Sequence, residues 1–102
     1  MDGSAEVVVS NQRASSRYEI TTRGEVAGFL DYRQGPGRLD LVHTEIDPKF
    51  EGQGLAAQLV QGALDDARAS GHRIVPSCSY VARFVERHPD YQDLLASPAG
   101  AS

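Results

Sequence analysis

Apolar residues in the first half of the chain fall in short runs or on alternate positions; later they recur every three to four. Glu6–Ser10 carries Val7-Val8-Val9, Arg17–Thr22 alternates through Tyr18 and Ile20, and Glu25–Tyr32 is aromatic and aliphatic. Arg38–Ile46 alternates throughout, which predicts a fourth strand after these three. Thr22-Arg23-Gly24-Glu25 predicts a tight hairpin. Gln34-Gly35-Pro36-Gly37 predicts the next turn. Strict alternation in the fourth strand puts Leu39, Leu41, His43 and Glu45 on one face and Asp40, Val42, Thr44 and Ile46 on the other. Asp47-Pro48 ends that strand.

From about Gly54 to Ser70 the period lengthens. Leu55, Leu59, Ala63 and Ala67 form a stripe that Ala56, Val60 and Leu64 widen, which predicts an amphipathic helix closed by Gly71. Ile74-Val75 reads as a short strand stopped by Pro76. A second helix over Ser79–Arg87 has Tyr80, Val81, Phe84 and Val85 as its apolar side; beyond Pro89, Tyr91, Leu94 and Leu95 fold back onto the core. The order β-β-β-β-α-β-α predicts one α+β or α/β domain over residues 6–95. Flexible ends are expected at 1–5 and 96–102, which are small and polar.

Composition narrows the function classes. The net charge is −4 over 102 residues, and Lys49 is the single lysine. Phosphate-backbone binding requires a basic face, so a nucleic-acid partner is not expected. No apolar run approaches membrane-spanning length, and the start Met1-Asp2-Gly3-Ser4-Ala5 lacks a signal-peptide pattern. The single cysteine excludes an intramolecular disulfide. Together these predict a cytoplasmic protein with no membrane partner; a monomer or weak dimer is expected, though no sequence feature fixes the oligomeric state. His43, His72, His88 and Cys78 lack metal-site spacing, so no metal is expected.

The segment Asp47-Pro48-Lys49-Phe50-Glu51-Gly52-Gln53-Gly54-Leu55-Ala56 joins a strand to a helix. Glycines at a helix mouth let a ligand approach the backbone, and the first amides of the helix suit a phosphate. A tight turn with no ligand explains the same glycines. Gly52-Gln53-Gly54-Leu55-Ala56-Ala57 also fits the loose dinucleotide pattern, but Asp47–Glu51 separate it from the strand. The acid expected about 20 residues on is also missing, since that region is Arg73–Cys78.

The strand end Glu45-Ile46-Asp47-Pro48, the loop Phe50-Glu51-Gly52-Gln53-Gly54-Leu55-Ala56 and the helix after it resemble the acetyl-CoA site of the GNAT acetyltransferases. Ile74-Val75-Pro76-Ser77-Cys78-Ser79-Tyr80-Val81 and Glu86-Arg87-His88-Pro89-Asp90-Tyr91 follow in an order similar to that of the small, single-domain members. The resemblance runs from Tyr18 to Leu95. It implies a minimal GNAT fold, a mixed sheet of about five strands with two main helices. It implies an N-acetyltransferase that uses acetyl-CoA as co-substrate and acetylates an amine acceptor, small molecule or protein, which the resemblance does not supply. A non-catalytic acyl-CoA-binding module of the same fold is the alternative.

Within that resemblance, Glu45, Ile46, Glu51, Gly52, Gln53, Gly54, Leu55 and Ala56 are the expected coenzyme A contacts, with Tyr80, Phe84 and Arg87 bordering the pantetheine arm; ordinary packing and, for Arg87, a plain surface charge are the structural alternative. Glu51 departs from the family's Arg or Gln and has to point away from a pyrophosphate. Val85 stands where many members carry an acidic tyrosine hydroxyl. Cys78, at the start of the second helix, is the candidate reactive residue, either as nucleophile or as acid for the departing thiolate. A buried small hydrophobe is the structural alternative. His43, expected within the fold beside Leu39 and Leu41, is either a core histidine or a base for the ammonium or for Cys78.

Overall fold

The computed structural model describes residues 6–96. Five strands form one sheet in sequence order: β1 (Val7–Gln12), β2 (Arg17–Thr22), β3 (Glu25–Gly35), β4 (Arg38–Ile46) and β5 (Arg73–Pro76). The first four are antiparallel neighbours, while β5 runs parallel to β4 after the crossover through α1 (Leu55–Ala69). Helix α2 (Ser79–Arg87) follows β5, and a 3-10 segment (Pro89–Leu94) folds back. The expected minimal fold is therefore the observed one. Of the expected flexible ends, 1–5 and 96–102, residues 1–5 and 97–102 lie outside the described residues; Ala96 is held by a bond from its amide to the Ile74 carbonyl, 2.8 Å.

Local chemistry explains the boundaries. At the β2–β3 hairpin Arg23 and Gly24 both take positive φ, 53° and 79°, as a two-residue turn matching strand twist requires. Helix α1 ends in paired bonds from Gly71 N to Arg68 O (3.1 Å) and from His72 N to Ala67 O (2.8 Å), the Schellman arrangement that a left-handed Gly71 permits.

The core lies between the sheet and the two helices. Leu55, Leu59, Val60, Ala63, Leu64 and Ala67 of α1 are buried against Tyr18, Ile20, Leu30, Leu39 and Leu41 of the sheet. Val81, Phe84 and Val85 of α2 complete it, with Tyr91 and Leu94 from the returning segment. Each fully buried aliphatic side chain stabilises by about 1.5–3 kcal/mol. Two tyrosine hydroxyls donate to carboxylates on α1: Tyr18 to Asp66 (2.8 Å) and Tyr91 to Asp65 (2.7 Å).

Strict alternation fails in β4. Tyr32 pairs with Leu41 but Asp31 pairs with His43, so Val42 is an extra residue, a β-bulge. Beyond it the faces exchange. Leu39 and Leu41 are buried, but from there on Thr44 and Ile46 turn towards the helices, while His43 and Glu45 turn outward. The expected placement of His43 with Leu39 and Leu41 is thereby corrected: its side chain is 57% exposed.

Candidate active site

Strands β4 and β5 pair only from Arg38↔Arg73 to Leu41↔Pro76. The Ser77 hydroxyl donates to Asp40, and the Cys78 amide donates to the Leu41 carbonyl at 2.8 Å. The chain then leaves the sheet into α2, with Cys78 at the N-cap. Past the bulge, no strand among the described residues pairs with β4 on that side. The Asp47 amide bonds Ala27 on β3, so by alternation the amides of Thr44 and Ile46 face the gap.

A cavity of about 290 Å³ opens at this divergence, walled by Thr44 and Ile46, by Phe50, Glu51, Gly52 and Gly54 of the loop, and by Leu55, Ala56, Ala57 and Tyr80. A second, of about 220 Å³, adjoins it through the shared Ala57 and Tyr80 and is lined also by Arg83, Phe84, Arg87 and His88. The two make one groove along the mouth of α1 and the flank of α2.

The loop reaches the groove in the conformation its glycines allow. Gly52 and Gly54 have φ of 84° and 74°. A Cβ added at either meets nothing within 4 Å, so left-handed backbone, not crowding, calls for glycine. Gly54 is the N-cap and offers no side-chain cap; the first bond inside α1 runs from Gln58 N to Gly54 O. The amides of Leu55, Ala56 and Ala57 therefore lack intrahelical partners at the groove wall, an arrangement suited to an anion.

Thr44 Oγ1 lies 3.4 Å from Cys78 Sγ. Partial burial pushes the Cys78 thiol up, but the Thr44 hydroxyl and the amides of Val81, Tyr80 and Thr44 outweigh it and hold the thiol below its ordinary range. The two helix amides make no conventional capping bond to the sulfur, so they act as oriented dipoles. The thiol is half-buried, not sealed in the core.

Several expected residues stand elsewhere. His43 pairs with Glu45 (Nε2 to Oε1, 3.1 Å) and lies beside the Phe29 ring on the outer face of the sheet, across the strand from Thr44 and Cys78. Glu45 lines a recess there with Val26, Phe29 and Asp47 instead of the groove, because the bulge reverses its face. Gln53 turns to a recess with Thr22, Arg23 and Glu25. Glu51, expected to turn away, is part of the groove wall and exposed. Ile46, Gly52, Gly54, Leu55, Ala56, Tyr80, Phe84 and Arg87 do line the groove. Sequence reasoning missed Thr44, Ala57, Arg83 and His88. The i, i+4 spacing of Arg83 and Arg87 on α2 was a signal for one of them. His88 is tied by Nδ1 to the Phe84 carbonyl (2.7 Å) and stacks on the Phe84 ring at 4.0 Å.

Among the described residues no group of three or more His, Cys, Asp or Glu side chains converges to hold a metal ion. No helix among them is long and apolar enough to cross a membrane.

A parallel strand pair that diverges beside a glycine-opened helix mouth is the architecture of the acyl-CoA N-acyltransferase class. The chain belongs to the GCN5-related N-acetyl-transferase family, whose model matches residues 17–94. It is similar to Protein NATD1 of Xenopus tropicalis, 28% identical over 91 residues that cover 87% of this chain and 84% of the relative. Protein NATD1 of Bos taurus is 35% identical over 83 residues, covering 79% and 74%. The solution structure of a GCN5-like protein from Staphylococcus aureus shares the fold, with a TM-score of 0.65 at 21% identity over 93% of this chain and 91% of that one.

Proposed function

We propose that the protein is an acetyl-CoA-dependent N-acetyltransferase in which Cys78 takes part in acetyl transfer to an amine. The observation that carries this reading is the groove itself. It joins the unpartnered amides of α1 to an apolar channel walled by Ile46, Phe50 and Leu55, and its wall residue Thr44 touches Cys78. The amides of Leu55, Ala56 and Ala57 would hold the pyrophosphate. The channel beside Thr44 and Tyr80 would take the pantetheine arm, and Arg83 and Arg87 the charged adenosine end. The thioester then falls near Thr44 and Cys78. The acceptor approaches from the open outer face, where His43, hydrogen-bonded to Glu45, can take the proton of an incoming ammonium.

One observation favours the non-catalytic alternative: Val85 is 3% exposed, packed in the core, so no acid stands at the position many members use. The decisive experiment is intact mass after incubation with acetyl-CoA, followed by an amine panel with release of free thiol monitored. Turnover on any amine that is lost in Cys78→Ala, while coenzyme A binding persists, supports the enzyme. Binding without turnover supports the module. No binding at millimolar acetyl-CoA refutes both.

A further inference from the structure

We infer that Thr44 is the positioning residue for Cys78, holding its sulfur as an anionic nucleophile beside the groove, so that acetyl transfer passes through an acetyl-Cys78 intermediate. The inference rests on the acetyl-transfer reading above and deepens it. Thr44 faces the groove only because Val42 bulges, and it meets the sulfur with its hydroxyl at 3.4 Å. The amides of Thr44, Tyr80 and Val81 also act on the sulfur. All four can donate, and among the described residues the Thr44 hydroxyl is the one side-chain hydrogen-bond partner. Against the partial burial of the sulfur, these donors favour a thiolate over the protonated thiol that an acid role requires. His43 is on the other face of the strand and pairs with Glu45, so the arrangement does not depend on an imidazole to remove the thiol proton.

The chemistry balances in two steps. Cys78 Sγ bonds to the thioester carbonyl carbon as the carbon–sulfur bond to coenzyme A breaks, and the departing thiolate takes a proton from solvent. The amine nitrogen then bonds to the same carbon as its bond to Cys78 Sγ breaks. The surplus ammonium proton passes to His43 or water, and Cys78 returns to thiolate.

The test is the pH profile of iodoacetamide alkylation in wild type, Thr44→Val and Thr44→Ser, with circular dichroism as the fold control. Wild type is expected to show a midpoint below the ordinary cysteine value of about 8.5. Thr44→Val keeps the shape but loses the hydroxyl; its midpoint is expected to rise by about one pH unit, with alkylation at neutral pH slower by about tenfold. Thr44→Ser restores the profile, an outcome that lost packing would not give. In acetyl-CoA, intact mass is expected to show a single acetyl adduct, absent in Cys78→Ala and slower to form in Thr44→Val. Superimposable profiles for wild type and Thr44→Val overturn the role of Thr44. Turnover without any adduct under rapid quench overturns the covalent route. The alkylation profile needs no acetyl-CoA, so it judges Thr44 even where the acetyl-transfer reading fails.

Discussion

Replacing Gly62 by alanine sets helix propensity against packing, and the geometry decides the sign. Gly62 lies inside α1, where alanine improves propensity by about 1 kcal/mol. A Cβ at Gly62 would stand 2.8 Å from Val9 Cβ and 2.9 Å from each of its two γ carbons. Carbon atoms in contact sit about 3.5–4.0 Å apart, so helix and strand must part by about 0.7 Å or more. A rotamer change cannot relieve the closest approach, because Val9 Cβ moves only with the backbone of β1. Overpacking of this kind costs about 1–3 kcal/mol. The expected net effect is a loss of about 1 kcal/mol, or about 4–8 °C in Tm for a domain of this size. Val9→Ala removes two of the three close approaches. Gly62→Ala should therefore cost less in that background, with a coupling of about 0.5 kcal/mol or more. Calorimetry of the four proteins in the cycle measures it. A higher Tm for Gly62→Ala, or an equal cost in both backgrounds, would refute the reasoning.

Acetyl-CoA should raise the wild-type Tm by mass action, and Gly54→Val should abolish the rise: a β-branched residue at φ 74° is strained and intrudes on the helix mouth, while the empty space there lets the fold survive. A wild-type-sized shift in the folded variant counts against the amide site. Arg83→Glu with Arg87→Glu should weaken coenzyme A by about tenfold or more in calorimetric titration but dephospho-coenzyme A much less; equal losses would show that neither guanidinium meets the extra phosphate. Burial first, and then the bond to Asp66, push the Tyr18 hydroxyl far up. A raised folded-state value means its contribution is whole below the unfolded value of about 10 and is lost as pH rises beyond it. Wild type should therefore lose Tm more steeply than Tyr18→Phe above about pH 10, and parallel alkaline curves would contradict this.

The elements were legible because their signals are local. Gly71 closes α1 through its own left-handed backbone, and Arg23-Gly24 makes its hairpin without reference to the rest of the chain. The glycine loop and Cys78 stand where their positions between elements put them. The two faces of β4 after Leu41 were not legible, since one added residue inverts every later side chain. A sign was present all the same. Unbroken alternation would carry Glu45 into the core with Leu39 and leave Ile46 outside. Burying an unpaired carboxylate costs far more than a bulge, so the conflict itself pointed to one. Thr44 escaped notice for the same reason, and its partner Cys78 lies in a distant stretch of sequence that only the crossover brings alongside.

The short β4–β5 pairing leaves an edge inside the sheet. Beyond Leu41 the ladder is interrupted, with α2 standing off from a strand that still has main-chain groups to satisfy. An extended, amide-bearing ligand can lie there as a surrogate strand, recognised by its backbone-like spacing and not by side-chain chemistry. Along this edge, occupancy would register in hydrogen exchange as slowing at Thr44 and Ile46, with the paired amides of Glu45 and Asp47 unchanged. Beyond Leu41 the tip of β4 is held by β3 alone, so any movement that widens the gap has to carry β3 with it or break that ladder.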